Sequence, residues 1–133
     1  MAMTTSAPHQ PTGYPTVSVY MMADGAQRVI DFMRDVLGGE TLMRMDRDNG
    51  TVLHAAVRIG DSVIMLSDGT AEAPAFPVWL HVYVRDVDET YQRALDYGAE
   101  SVQAPSEKGD GDRRGGIRDP AGNTWWIATH LGR

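Results

Sequence analysis

No cysteine occurs anywhere in the sequence. Disulfides, thiolate metal centres and cysteine nucleophiles are therefore all excluded. No apolar run reaches the about 18 residues that a membrane-spanning helix requires. The balance of charge is short of positive groups: 12 Lys and Arg stand against 18 Asp and Glu, a formal net charge of -6. That balance argues against nucleic acid or a membrane surface as a partner. The start of the chain lacks the basic residues and apolar stretch of a signal peptide, and the expected location is the cytoplasm. Several catalytic signatures are missing too. There is no phosphate-binding glycine motif followed by Lys and Ser or Thr, no serine elbow and no dinucleotide fingerprint. The glycine-rich stretch 109–116 lacks the preceding strand and following helix that such motifs need.

What is present describes one domain. A chain of 133 residues with 42% hydrophobic and 23% charged residues is long enough for a real core and ordinary for a globular protein. Residues 1–15, rich in Thr, Ser, Pro and Gly, read as a flexible leader. Regular structure starts at residue 16. The β-branched and aromatic stretch 16–22 predicts a strand, and Asp24 predicts a helix cap. Val29, Ile30, Phe32, Met33, Val36 and Leu37 form an apolar stripe at helical spacing, ended by Gly38-Gly39. Strands are predicted at 40–45, 51–59 and 62–67, with turns at 46–50 and 60–61.

After a Pro- and Gly-containing linker at 69–77 the pattern repeats. A strand is predicted at 78–85, then a helix capped by Asp86 or Asp88. Val87, Tyr91, Ala94 and Leu95 form its stripe and Gly98 its stop. A short strand at 100–103, a loop at 104–112 and a hairpin around 119–123 complete the unit. The sequence Trp125-Trp126 places two adjacent indoles on opposite faces of the last strand. The prediction is an α+β fold of two tandem β-α-β-β-β modules, 16–68 and 78–131, in a single domain spanning 16–131. Its strands would form a curved mixed sheet around a central cleft, with the helices on the outer faces. A cleft between repeated halves is the natural ligand site.

Four segments, in order and at fitting separations, carry a resemblance to a known superfamily. They are Val17-Ser18-Val19-Tyr20-Met21-Met22-Ala23-Asp24 with its helix, His54 to Asp68, His81-Val82-Tyr83-Val84-Arg85-Asp86-Val87-Asp88, and Asp119 to His130. Together they resemble the glyoxalase, bleomycin-resistance and extradiol-dioxygenase proteins, the vicinal oxygen chelate superfamily. The likeness covers about 16–131 and is greatest to a small bacterial glyoxalase-like branch. It implies paired modules and, in the enzymes, a divalent metal held by His, Gln or Glu from the first and fourth strand of each module. That metal chelates vicinal oxygens of a substrate and stabilises an enolate-like charge.

Aligned on the helix-starting aspartates and the hairpin turns, the ligand positions fall on Val17, Met65, Trp79 and Trp126. None can hold a hard cation, since a thioether is a soft donor and indole is no ligand. The expectation is therefore no metal and no other cofactor. His54, His81 and His130 are the alternative donors. They read either as an improvised metal site, as residues that touch a ligand or move a proton, or as hydrogen-bonded pocket walls. Trp79 and Trp126 read either as filler replacing a lost metal site or as an aromatic clamp for a planar ligand. Trp125 belongs to the core.

The candidate ligand-binding residues are thus Trp79, His81, Tyr83, Trp126, His130, Met21, Met65, His54 and Arg58. Met21 and Met65 would make an adaptable apolar wall, and Arg58, Arg85, Arg113 and Arg114 stand as rim cations or solvated surface. The functional expectation is a metal-free small-molecule-binding protein of the bleomycin-resistance type, a homodimer by resemblance, with a role in antibiotic resistance. A metal-dependent lyase or dioxygenase with a shifted His set is one alternative. A catalytically silent dimerising domain is another.

Overall fold

The computed structural model describes residues 9–132. The element order is β1 (Val19–Ala23), α1 (Ala26–Leu37), β2 (Glu40–Asp46), β3 (Val52–Ile59), β4 (Ser62–Asp68), β5 (Trp79–Tyr83), α2 (Val87–Tyr97), β6 (Glu100–Glu107), β7 (Asp112–Arg118) and β8 (Thr124–His130). The α+β reading with two β-α-β-β-β modules is borne out. The leader expected over 1–15 lies partly outside the described residues, which begin at residue 9.

The strands form two four-stranded sheets, ordered β1-β4-β3-β2 and β5-β8-β7-β6. In each, the first strand lies parallel to the fourth, and the remaining pairs are antiparallel. The two modules thus repeat one topology in sequence and in space.

Both helices stop where glycine was expected to stop them. Gly38 and Gly98 adopt the left-handed conformation and return their N–H groups to the last turn. The starts differ. Asp86 caps α2 with its own carboxylate, which accepts from the Glu89 N–H at 3.1 Å. Asp24 does not cap α1. The N-cap there is Gly25, and the Ala26 N–H donates instead to Asp68 Oδ1 at 2.7 Å. The same carboxylate accepts from the Val52 N–H through Oδ2, so the end of β4 fixes both the helix start and the beginning of β3.

Module two also differs from the expectation in its loop. Residues 104–107 continue β6, and β7 starts at Asp112, so the loop shrinks to 108–111. Pro105 is compatible with a strand here because β6 is an edge strand, with one side free of ladder partners.

The helices, expected on outer faces, join the modules instead. Phe32 of α1 sits with its ring 5.9 Å from Trp125 and 6.0 Å from Tyr97. Arg93 of α2 donates to the Val36 carbonyl at 3.0 Å. One continuous core results, running from Met21, Phe32 and Leu66 to Ile117, Trp125 and Ile127. The core assignment of Trp125 is borne out, at 2% exposure. Because the helices cover one face of each sheet, the other face of each sheet stays open. A groove of about 1050 Å³ separates the first strands of the two modules, with Val17, Val19 and Ile59 on one side and Trp79, Tyr83 and Arg85 on the other. Among the described residues, no helix is long and apolar enough to cross a membrane.

Candidate functional site

Strand alternation in module two sends Trp79, His81 and Tyr83 of β5 to the open face, while Leu80 points into the core. The register pairs His81 with Trp126 and Tyr83 with Ala128, so Trp126 and His130 of β8 share that face. Asp112 and Arg114 of β7 join them, opposite His130 and Ala128. Gly116 opposes Trp126. A Cβ at Gly116 would lie 2.7 Å from the Trp126 ring, so glycine is what lets the indole lie across β7.

The aromatic part of this face is open to solvent. Trp79 is 75% exposed and Tyr83 62% exposed. Trp79 meets Trp126 edge to face, with centroids 5.3 Å apart, and His81 meets Tyr83 in the same way at 4.8 Å. The Trp126 Nε1 atom is buried and has no hydrogen-bond partner, which leaves a donor unmet at a cost of about 1–3 kcal/mol.

The polar part is a network centred on Asp112, which is buried. Its Oδ1 lies 2.8 Å from His130 Nδ1. Its Oδ2 accepts from the Tyr83 hydroxyl and from Arg114, each at 2.8 Å. Arg114 also donates to Asp110 at 2.6 Å and, through Nε, to His81 Nε2 at 3.0 Å. Three consequences follow for protonation. The His130 and Tyr83 hydrogen bonds hold the Asp112 carboxyl below its ordinary range. The Tyr83 phenol is raised, first by its bond to that carboxylate. Burial, and then the Arg114 charge, lowers the His81 imidazole.

Module one presents a smaller face. Tyr20 stacks on His54 with ring centroids 5.5 Å apart. The Tyr20 hydroxyl lies 2.6 Å from Ser67 Oγ and 3.1 Å from His54 Nδ1, and Ser67 Oγ donates to the Leu53 carbonyl. Since the serine proton is committed to Leu53, Tyr20 donates to Ser67 and accepts from His54 Nδ1–H. Arg58 pairs with Glu40 at 3.0 Å, and Met65 is half-buried beside Tyr20 and Ala56.

Trp79, His81, Tyr83, Trp126 and His130 are therefore brought together on one sheet face. His54, Arg58 and Met65 are placed on the other sheet. Met21 needs correction: it is fully buried in the core and packs against Asn123. On β1 it is Tyr20 and Met22 that face outward, so Met21 belongs to the helix-covered side. Tyr20 and Asp112 were missed. Alternation signals Tyr20, but Asp112 was hidden in a stretch that reads as loop. The arginines marked as rim cations are mostly paired: Arg113 holds Asp88 through two bonds, at 2.8 and 2.9 Å.

The residues do not fit the metal of the superfamily's enzymes. The resemblance assigns its positions to Val17, Met65, Trp79 and Trp126, none of which is a donor for a hard cation. Among the described residues, no group of three or more His, Asp and Glu is placed to hold a metal ion.

Residues 17–127 match the model of the Glyoxalase/Bleomycin resistance protein/Dioxygenase superfamily. The chain belongs to that superfamily. An uncharacterised Mycobacterium bovis protein is 35% identical to it over 122 residues, covering 84% of this chain and 80% of the relative. Among solved structures, TioX from Micromonospora sp. ML1 superposes with a TM-score of 0.70 at 26% identity, over 86% of this chain and 95% of that one. TnmS3, described as an antibiotic binding protein from Streptomyces sp. CB03234, superposes with a TM-score of 0.68 at 19% identity, over 88% and 99%. The last likeness concerns the fold alone. Within the glyoxalase superfamily, then, this member combines the shared two-module frame with an exposed aromatic face on module two.

Proposed function

We propose that this protein is a metal-free small-molecule-binding member of the superfamily, of the bleomycin-resistance type, rather than an enzyme. It holds an apolar or aromatic ligand against the Trp79, Tyr83 and Trp126 face. The observation that carries this reading is the exposure of Trp79: an indole three-quarters in water, edge-on to a second indole. Large apolar side chains left in water on a shaped face mark a binding surface. Flat ligands gain about 0.5–1.5 kcal/mol from aromatic contact beyond area burial. A role in antibiotic resistance and a place in the cytoplasm belong to the same proposal; TnmS3, which shares the fold, is described as an antibiotic binding protein.

We further propose a homodimer. The β1 and β5 strands both lie at sheet edges and flank the groove. Val17 is 82% exposed there and Val19 41%. Unpaired edges with apolar side chains favour association. A second copy would place its module-one face over the aromatic face, closing a site that is open in one chain.

The test is tryptophan-fluorescence titration with planar two-ring probes, before and after exhaustive chelation. Binding retained in chelator and weakened about tenfold or more in Trp79→Ala supports the reading. Binding that disappears with chelation and returns with added zinc, nickel, manganese or iron overturns it in favour of a metal-dependent protein.

A further inference from the structure

The histidines of the aromatic face are held in single tautomers, and this defines what the face recognises. Arginine has five donors, no acceptor and a charge that it keeps. Because Arg114 Nε donates to His81 Nε2 at 3.0 Å, that nitrogen carries no proton, and His81 is neutral with its proton on Nδ1. No protein group accepts from this N–H among the described residues, so His81 offers an outward donor. His130 is fixed from the opposite side. The buried Asp112 carboxylate lies 2.8 Å from His130 Nδ1 and is itself an acceptor. In the neutral ring the His130 proton therefore sits on Nδ1, which leaves Nε2 as an acceptor on a residue exposed at the end of β8. The Arg114–Asp112 bond at 2.8 Å ties the two settings into one relay.

The two rings sit at either end of one bridge: His81 Nε2 lies 3.0 Å from Arg114, Arg114 2.8 Å from Asp112, and Asp112 2.8 Å from His130 Nδ1. Both lie on the same sheet face as Trp79 and Trp126, so one planar ligand on that face meets both.

We infer that the module-two face recognises a planar ligand with a hydrogen-bond acceptor at one end, met by His81 Nδ1–H, and a hydroxyl or N–H donor at the other, met by His130 Nε2. This rests on the small-molecule-binding reading and adds the ligand's polarity to it.

Two measurements test it. Long-range ¹⁵N–¹H correlation spectra of the histidine rings at neutral pH should show the Nδ1–H tautomer for His81 and His130. The Nε2–H form at either ring overturns the assignment. Calorimetric titration with methyl 6-hydroxy-2-naphthoate, which has a donor and an acceptor at opposite ends, is compared with methyl 6-methoxy-2-naphthoate, which keeps only the acceptor. The hydroxy ester should bind about threefold to tenfold tighter, the worth of one hydrogen bond. His130→Ala should erase that preference. His81→Ala should weaken both esters alike and leave the preference intact. Equal binding of the two esters to the unaltered protein overturns the proposed polarity while leaving the binding reading standing. Failure of both esters to bind overturns the binding reading and the polarity together, whatever the tautomer spectra show.

Discussion

Asp119 illustrates how much one side chain carries in this fold. It is 4% exposed and accepts from the Ala121 and Asn123 N–H groups, the Asn123 side chain and the Trp125 indole. The turn before β8 is thus closed by the same carboxylate that satisfies the most deeply buried indole. Asp119→Ala would leave several buried donors unmatched, each costing about 1–3 kcal/mol, partly relieved by relaxation. We expect a loss of about 2–4 kcal/mol in urea unfolding, with the slope against denaturant unchanged. Asp112 makes a different prediction because its bonds are to ionisable partners. Its folded carboxyl lies below the ordinary range, chiefly through the His130 and Tyr83 hydrogen bonds. A depressed carboxyl contributes stability that is fully present above the unfolded value near about 3.9 and is lost as pH falls through the lower folded value. The melting temperature of the unaltered protein should therefore exceed that of Asp112→Asn by a constant margin from about pH 7 to pH 5. The margin should shrink below about pH 4. A margin that does not change down to pH 2 would remove the linkage.

At the scale of elements, the two helices began differently although their sequences looked alike. Each follows an aspartate, but only Asp86 turns its carboxylate onto its own helix. Gly25 intervenes in α1, and the cap comes from Asp68, 42 residues away in sequence. Local signals could find the glycine stops of both helices and the cap of α2, because those depend on backbone conformation within one turn. They could not find a cap donated by β4, because it depends on the parallel β1–β4 pairing. Asp68→Ala should cost more than an ordinary cap of about 1 kcal/mol, since it also frees the Val52 N–H; we expect about 1.5–3 kcal/mol. Hydrogen exchange should quicken at Ala26 and Val52 together. Faster exchange at Ala26 alone would mean that β3 is held by other contacts. The same limit explains the misplaced loop. Glycines and charges at 104–112 suggest a loop locally, yet β6 and β7 pair as far as Glu107 and Arg113. That pairing is also why the partnership of Asp112 with His130 went unread.

Across the whole molecule, alternation along β5 and β8 was enough to gather Trp79, His81, Tyr83, Trp126 and His130 on one face. What alternation could not supply is which faces look at each other. That was decided by Phe32 wedging against Trp125 and Tyr97, which turns the helices inward and the polar faces of the two sheets outward. Met21 alternates onto the helix-covered side of its sheet and is fully buried there. The outward arrangement has a consequence for assembly. Val17 beside β1 is 82% exposed, and in a lone chain its replacement by a charged residue should change stability by no more than about 0.5 kcal/mol. In the proposed homodimer the same side chain lies at the edge that meets a second copy, where an unpaired ammonium costs several kcal/mol. Val17→Lys therefore separates folding from pairing. We expect the unaltered protein to sediment as a dimer at micromolar concentration, and Val17→Lys to sediment as a monomer with an unchanged circular-dichroism spectrum. The variant should also bind planar probes more weakly, because the aromatic face loses its cover. An unaltered protein that sediments as a monomer, or a variant that still sediments as a dimer, would remove the edge-to-edge pairing and with it the shared site.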